Sequence, residues 1–252
     1  MSALPQFQLS PAGRDHGPAT AASHRTDRRG QLELVRDGAE RPPRLDDASL
    51  DIIRRLGELM ESTDRYTFGH CERVANYAVA VARVLGLGEI ETTTVRLGAY
   101  LHDLGKVHVP SAILNKTGRL GPEEIAVIRE HPTWGVALLS AVPLRWDILP
   151  MVRWHHERCD GSGYPDGLRG DEIPLAAQII GIADTFDALT TTRSYRPAGS
   201  IEHALGVLWE SRRSWHPDVY AAFLTSVRLR EAQSRMSPWR RRIATVESMG
   251  SA

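Results

Sequence analysis

Cysteine is scarce in this chain: Cys71 and Cys159 are the only two among 252 residues, too few to staple a chain long enough to bury its own core. A disulfide framework is therefore not expected, and a reducing compartment, the cytoplasm, is the expected setting. Net charge is lacking as well. Thirty-one Lys and Arg offset thirty-one Asp and Glu, so no overall field draws the chain to a nucleic-acid polymer or an anionic membrane. Long apolar runs are missing. Even Ile173 to Leu189 is interrupted by Gln178 and Asp184, short of the ~18 to 20 apolar residues that span a bilayer. The first residues lack the charged-then-apolar order of a signal peptide, and a soluble protein is expected. Alternating apolar and polar residues, the mark of a half-buried strand, do not persist over any useful length. An all-α fold is the reading.

What is present is organised in three parts. Residues 1–46 are rich in Pro, Gly, Ala, Arg and Asp; without a face to bury they are expected to form a disordered tail. Residues 47–233 form one expected domain, and residues 234–252, with Arg240-Arg241-Arg242 after Pro238, read as a frayed basic tail. Within the domain, Ile52, Ile53, Leu56, Leu59 and Met60 fall at helical spacing, as do Val74, Tyr77, Ala78, Val81, Ala82 and Leu85, with Gly86 as the expected cap. Further helices are expected over 92–104, from Pro122, and over 146–156, 174–190, 200–213 and 217–233. Pro132 is expected to bend or break its helix just after His131.

The chemistry is concentrated in His155-His156-Glu157-Arg158-Cys159-Asp160-Gly161-Ser162-Gly163-Tyr164-Pro165, which sets two imidazoles and two carboxylates beside a glycine-broken loop. Upstream stands His102-Asp103-Leu104-Gly105-Lys106, and downstream Asp184 and Asp187 add carboxylates. His70, His131, His155, His156 and Asp184 lie on separate expected helices or at their ends, the way a bundle converges ligands on one interior point. Burying so many imidazoles and acids unpaired is unfavourable, whereas a divalent cation neutralises the carboxylates and accepts the lone pairs. A metal cluster is the favoured reading. The competing one is core histidines satisfied by backbone carbonyls, with the acids at the surface.

These blocks resemble the HD-GYP subgroup of the HD-domain phosphohydrolases over about residues 47–228. The resemblance rests on Tyr66-Thr67-Phe68-Gly69-His70-Cys71-Glu72-Arg73-Val74, His102-Asp103-Leu104-Gly105-Lys106, His131-Pro132, the His155 to Pro165 run, and Asp184-Thr185-Phe186-Asp187-Ala188-Leu189-Thr190 with Arg193-Ser194-Tyr195-Arg196. It implies an HD-domain helical bundle with C-terminal HD-GYP helices. It also implies that His70, His102, Asp103 and Asp184 hold one metal, while Asp103 bridges to a second held by His131 and the His155-His156 pair. Iron or manganese is the implied metal. Some members hold a third ion through a glutamate one turn before the first histidine; Tyr66 stands there, so two ions are expected, with Asp64 and Glu72 as weaker substitutes.

The implied reaction is hydrolysis of cyclic di-GMP to the linear dinucleotide pGpG, with onward cleavage to GMP left open. Two cations about 3.5 to 4 Å apart acidify a water and stabilise charge on phosphate oxygens. Asp103 and Lys106 are the expected catalytic groups, Lys106 countering charge in the transition state or assisting the leaving oxygen. Gly163, Tyr164 and Pro165 are expected to recognise substrate, Tyr164 by stacking on guanine or donating to phosphate, and the same loop is the implied contact for a diguanylate cyclase or other signalling protein. Arg193 and Arg196 match phosphate or guanine clamps. A homodimer is left open. Two departures stand out: Gln178 where the family has arginine, and Trp215-His216-Pro217 for Phe-Asp-Pro, both expected to touch scaffold bonds or helix capping rather than chemistry. The alternatives are an HD enzyme for another nucleotide, such as a hybrid cyclic dinucleotide, and an effector or adaptor that binds cyclic di-GMP with little turnover.

Overall fold

Apolar stripes become helices where the flanking residues let them start and stop. The computed structural model describes residues 25–26, 32–33, 47–63, 69–192 and 198–235. Helix α1 spans Asp47–Thr63 and α2 spans His70–Val84. Gly86, at φ 75, closes α2 as its sequence position predicts: its N–H donates to the Arg83 carbonyl at 3.1 Å and the Leu87 N–H to that of Ala82 at 3.0 Å. The buried face of α2 is built from small side chains, Ala75, Ala78 and Ala82 among them, which let α3 (Glu89–Leu101) pack close against it.

After α3 the chain passes through a 3-10 turn, Leu104–His108, and a single turn α4 (Ser111–Leu114). Helix α5 (Pro122–Arg129) follows, with Pro122 in its first turn. The break expected after His131 falls before it. Helix α6 is His131–Leu139, so His131 opens a new helix and Pro132 sits in a first turn, where its missing N–H costs nothing. Then come α7 (Leu149–Trp154), shorter than the stretch expected, α8 (Leu175–Thr190), α9 (Ile201–Glu210) and α10 (Pro217–Arg235).

Helix α8 is the hub, with α2, α3, α7, α9 and α10 packed on it. Its Ile179, Ile180, Ile182, Ala183 and Phe186 are buried almost completely, each large one stabilising the fold by about 1.5–3 kcal/mol. A second cluster, Ile53, Leu97, Leu101, Leu104, Leu139, Trp146, Ile148 and Val152, joins α1, α3, the 3-10 turn, α6 and α7. These two bodies of apolar contact fix the helix ends that carry the site.

Among the described residues of this unit, residues 42–252, the all-α reading is borne out. In the other unit, Met1–Arg41, the described residues form two-residue strands, Arg25–Thr26 and Leu32–Glu33, paired antiparallel with Arg25 opposite Glu33. The expected tails otherwise lie outside the described residues, apart from the last turn of α10. Among the described residues no helix is long and apolar enough to cross a membrane.

Candidate metal centre

The candidate ligands stand at helix ends. His70 opens α2, His102 caps the C-terminal end of α3 with Asp103 next to it, His131 opens α6, and His155 caps α7 with His156 following; Asp184 alone comes from within a helix, α8. Their ligand atoms fall into two groups, His70 with His102 and Asp184, and Asp103 with His131, His155 and His156, each group within 4.8 Å. Asp103 faces both. Its Oδ2 lies 3.6 Å from His70 Nε2 and 3.4 Å from His102 Nε2, while Oδ1 lies 3.2 Å from His131 Nε2 and 4.0 Å from His155 Nε2. One carboxylate oxygen to each group is the arrangement of a bridging ligand. Both members of the paired histidines belong to the Asp103 group.

Partners on the far side of each ring set which nitrogen turns inward. His102, His131 and His155 donate from Nδ1 to the carbonyls of Ala99, Ile128 and Val152 at 2.7, 2.7 and 2.9 Å. A carbonyl only accepts, so Nδ1 carries a proton and Nε2 is the nitrogen turned inward. His131 Nε2 and His155 Nε2 stand 3.3 Å apart, a spacing held by a proton shared between them or by a cation facing both. The Nε2 atoms of His70 and His102 are buried without a hydrogen-bond partner. Backbone carbonyls do satisfy these histidines, as the competing reading held, but only on one nitrogen each.

His70 is held differently. Its Nδ1 lies 2.7 Å from Asp187 Oδ2, and Asp187 in turn accepts from Arg73 Nε at 2.7 Å and Nη2 at 3.1 Å. Asp187, whose carboxylate the sequence offers beside that of Asp184, belongs to neither ligand group; it orients the candidate ligand His70 instead. Burial opposes a charge on His70, but the Asp103, Asp187 and Asp184 carboxylates outweigh it and lift the ring's pKa to about 9. Burial likewise opposes ionisation of Asp103, yet Lys106 and His102 hold it well below the usual carboxylate range. Burial pushes His155 and His156 well below the usual histidine value. The Asp103 side of the site therefore sets an ionised carboxylate beside the neutral imidazoles of His155 and His156, a set that suits a borderline divalent cation.

Close backbone contacts complete the frame. A Cβ on Gly105 would overlap the His131 carbonyl and come within 2.5 Å of Gly135 N, so only glycine lets the His102-Asp103 turn rest on α6. Lys106 Nζ contacts Asp103 Oδ2 at 2.6 Å.

The loop after His156 is stitched by its acids rather than lined with ligands. Glu157, buried, accepts from the N–H groups of Asp166, Gly167 and Leu168 at 2.7, 3.0 and 3.1 Å. Asp160 accepts from Ser162 and Ser214, bonds that hold its pKa at about 2. Gly163 lies so close to the backbone of Glu157 and the His156 carbonyl that a side chain would collide, and Pro165 follows a cis peptide. Tyr164 stacks on His156, ring centroids 4.7 Å apart and planes 24° off parallel, with the Arg129 guanidinium 5.1 Å from its centroid. At least one face is thus taken by a candidate ligand, which alters the expectation that the ring serves a guanine. Burial raises the Tyr164 hydroxyl above the usual phenol range, so it remains a neutral donor.

Several expectations sit elsewhere. Tyr66, Asp64, Arg193 and Arg196 lie outside the described residues. Glu72 is exposed on α2 and belongs to neither ligand group. Gln178 donates to the Ile173 carbonyl at 2.9 Å, Trp215 lies 4.4 Å from the Arg158 guanidinium, and His216 Nδ1 accepts from the Asp218 N–H at 3.2 Å at the start of α10. Those are scaffold and capping roles. Arg73 and Arg129 had no sequence signal, since neither residue type at those positions implies a role until the ring beside it is known.

A family model described as an HD domain matches residues 54–219. The chain belongs to the HD-domain family. This HD-domain chain also carries the motif set of the HD-GYP subgroup. It is 42% identical over 165 residues to the cyclic di-GMP phosphodiesterase response regulator RpfG of Xanthomonas campestris, covering 64% of this chain and 43% of that protein. It is 38% identical over 187 residues to the 3'3'-cGAMP-specific phosphodiesterase 3 of Vibrio cholerae, covering 73% of this chain and 41% of that one. With a cyclic di-GMP phosphodiesterase of Thermotoga maritima it shares 36% over 182 residues, 71% of this chain and 50% of the relative. The HD-domain chain thus spans half or less of the length of these relatives. Among solved structures, Bd1817, an HDGYP protein from Bdellovibrio bacteriovorus, superposes with a TM-score of 0.52 at 25% identity, covering 63% of this chain and 51% of that one. The HD domain of PgpH from L. monocytogenes, solved with cyclic-di-AMP, gives 0.53 at 18% identity over 73% of this chain and 98% of its own, a likeness of fold.

Proposed function

We propose that this HD-domain chain is a metal-dependent phosphodiesterase that opens cyclic di-GMP to pGpG. The observation that carries the metal is the convergence of the inward nitrogens of His131, His155 and His156 on an ionised Asp103, with the His131 and His155 Nε2 atoms 3.3 Å apart. His70, His102 and Asp184 are the proposed holders of one ion, His131, His155 and His156 of another, with Asp103 shared. Iron or manganese suits this mixture of imidazole and carboxylate. Divalent ions held there supply Lewis acidity, acidifying water and neutralising phosphate charge.

The remaining chemistry belongs to side chains. Lys106 holds the Asp103 carboxylate in place at 2.6 Å and adds positive charge where the phosphorane develops it negatively. Tyr164, neutral, is a hydrogen-bond donor at the mouth of the His156 side. Arg193 and Arg196 are the proposed clamp for phosphate or guanine. The same Gly163-Tyr164-Pro165 loop is the proposed contact for a diguanylate cyclase. Two relatives named for cyclic di-GMP cleavage support the substrate class. A relative named for 3'3'-cGAMP, matched over 73% of this chain, favours a second reading, a hybrid cyclic dinucleotide.

Turnover of cyclic di-GMP, 3'3'-cGAMP and a nucleoside monophosphate by anaerobically metal-loaded protein decides among these readings. Cyclic di-GMP is expected to give the highest kcat/KM, with pGpG as first product. Binding without cleavage would make the chain an effector and overturn the enzymatic reading.

A further inference from the structure

Arg129 ends α5 one residue after Ile128, whose carbonyl orients His131, and two residues before His131 itself. Its side chain reaches the Tyr164 ring, which lies on His156. Tyr164 thus touches both the Arg129 guanidinium and the His156 ring on the Asp103, His131, His155 and His156 side of the centre. Tyr164 is only partly exposed and Arg129 is exposed, so the phenol is held against His156 while the guanidinium reaches solvent. Among the described residues the Arg129 side chain makes no ion pair and no hydrogen bond. Its face is engaged by the ring, but its in-plane N–H groups are uncommitted, and those are the donors that match phosphate oxygens in a planar fork.

We propose that Arg129 is a substrate-contacting residue whose guanidinium, carried on Tyr164, pairs with a phosphate oxygen of the cyclic dinucleotide at the His131/His156 side of the centre. This rests on the phosphodiesterase reading above. The aromatic support lowers the ordering cost of the contact, because a cation held over a ring loses less freedom when it binds than a free side chain does. The competing role is structural: a cation at the C-terminal end of α5 also interacts favourably with the helix dipole. That role affects melting, whereas a phosphate contact affects substrate affinity.

The test compares wild type, Arg129→Ala and Arg129→Lys, all metal-loaded, by calorimetric titration with cyclic di-GMP and by steady-state kinetics, with metal content and melting temperature measured alongside. Arg129→Ala is expected to weaken the Kd and raise KM by roughly tenfold or more, the size of one charge-assisted contact. Its kcat should stay within about threefold, with metal content and melting temperature unchanged. Arg129→Lys keeps the charge but loses the planar fork, and is expected to recover only part of the affinity. An Ala variant with wild-type Kd and KM overturns the proposal, as does a Lys variant no better than Ala, or a loss explained by released metal or lowered melting. Wild-type protein that binds but does not cleave refutes the enzymatic reading while the binding comparison still decides on Arg129; wild type that does neither refutes both.

Discussion

Removing Asp187 should empty half of the metal centre and leave the other half filled. In the His70 group one ring is oriented by a carboxylate, at 2.7 Å from His70 Nδ1, while His131 and His155 in the other group rest on backbone carbonyls that no side-chain substitution removes. Asp187→Ala strands the His70 Nδ1–H in a buried site; Arg73, whose side chain is 40% exposed, regains water. The cost therefore falls on the ligand. A buried donor left unpaired costs about 1–3 kcal/mol. Loss of a partner that orients a metal ligand typically weakens affinity about 10 to 100-fold, which at about 1.4 kcal/mol per tenfold is the same range. The assay is a graded chelator titration followed by metal analysis. Wild type should retain both ions at a chelator level where the variant retains one, with the His131 side still occupied. Equal retention in the two proteins, or simultaneous loss of both ions, would refute the reasoning.

Three further outcomes follow from the frame around the site. Gly105→Ala forces a Cβ into the His131 carbonyl and should cost about 1–3 kcal/mol and weaken both metal positions; Gly118→Ala, with nothing within 4 Å of its Cβ, is the matched control and should leave metal affinity unchanged. Glu157→Ala strips the acceptor from three backbone N–H groups, so cleavage by a protease near residues 161–169 should quicken, and an unaltered digestion pattern would contradict the latch. Asp160 has a folded pKa of about 2 against an ordinary 3.8, so its stabilisation is present above about pH 4 and is lost as pH falls toward 2. The difference in urea midpoint between wild type and Asp160→Asn should accordingly shrink across that interval, and a constant difference would rule the linkage out.

The long helices were legible because their stripes are regular: α2 carries its apolar residues at three-to-four spacing and stops at Gly86, and α8 and α10 begin next to prolines. The break at His131 was misplaced by a residue because Pro132 fits both a helix end and a first turn, and packing against the 3-10 turn at Gly105 chose the second. Among the site residues, motif order brought seven candidates to attention and the structure gathers their ligand atoms in two adjoining groups. What sequence cannot supply is direction. Asp184 and Asp187 lie three residues apart on one helix, yet one carboxylate faces the cluster and the other the back of His70. Glu157 stands beside two candidate ligands and turns to backbone N–H groups instead. Tyr164 looked free for a base until its ring was seen against His156.

The central claim is that Asp103 joins two ions held by histidines from separate helices. Metal analysis and magnetic resonance of the manganese-loaded protein test it most directly. The account predicts two ions per chain with an exchange-coupled signal that Asp103→Ala abolishes, together with loss of cyclic di-GMP cleavage. A single uncoupled ion in the wild type, or cleavage that survives Asp103→Ala, would contradict it.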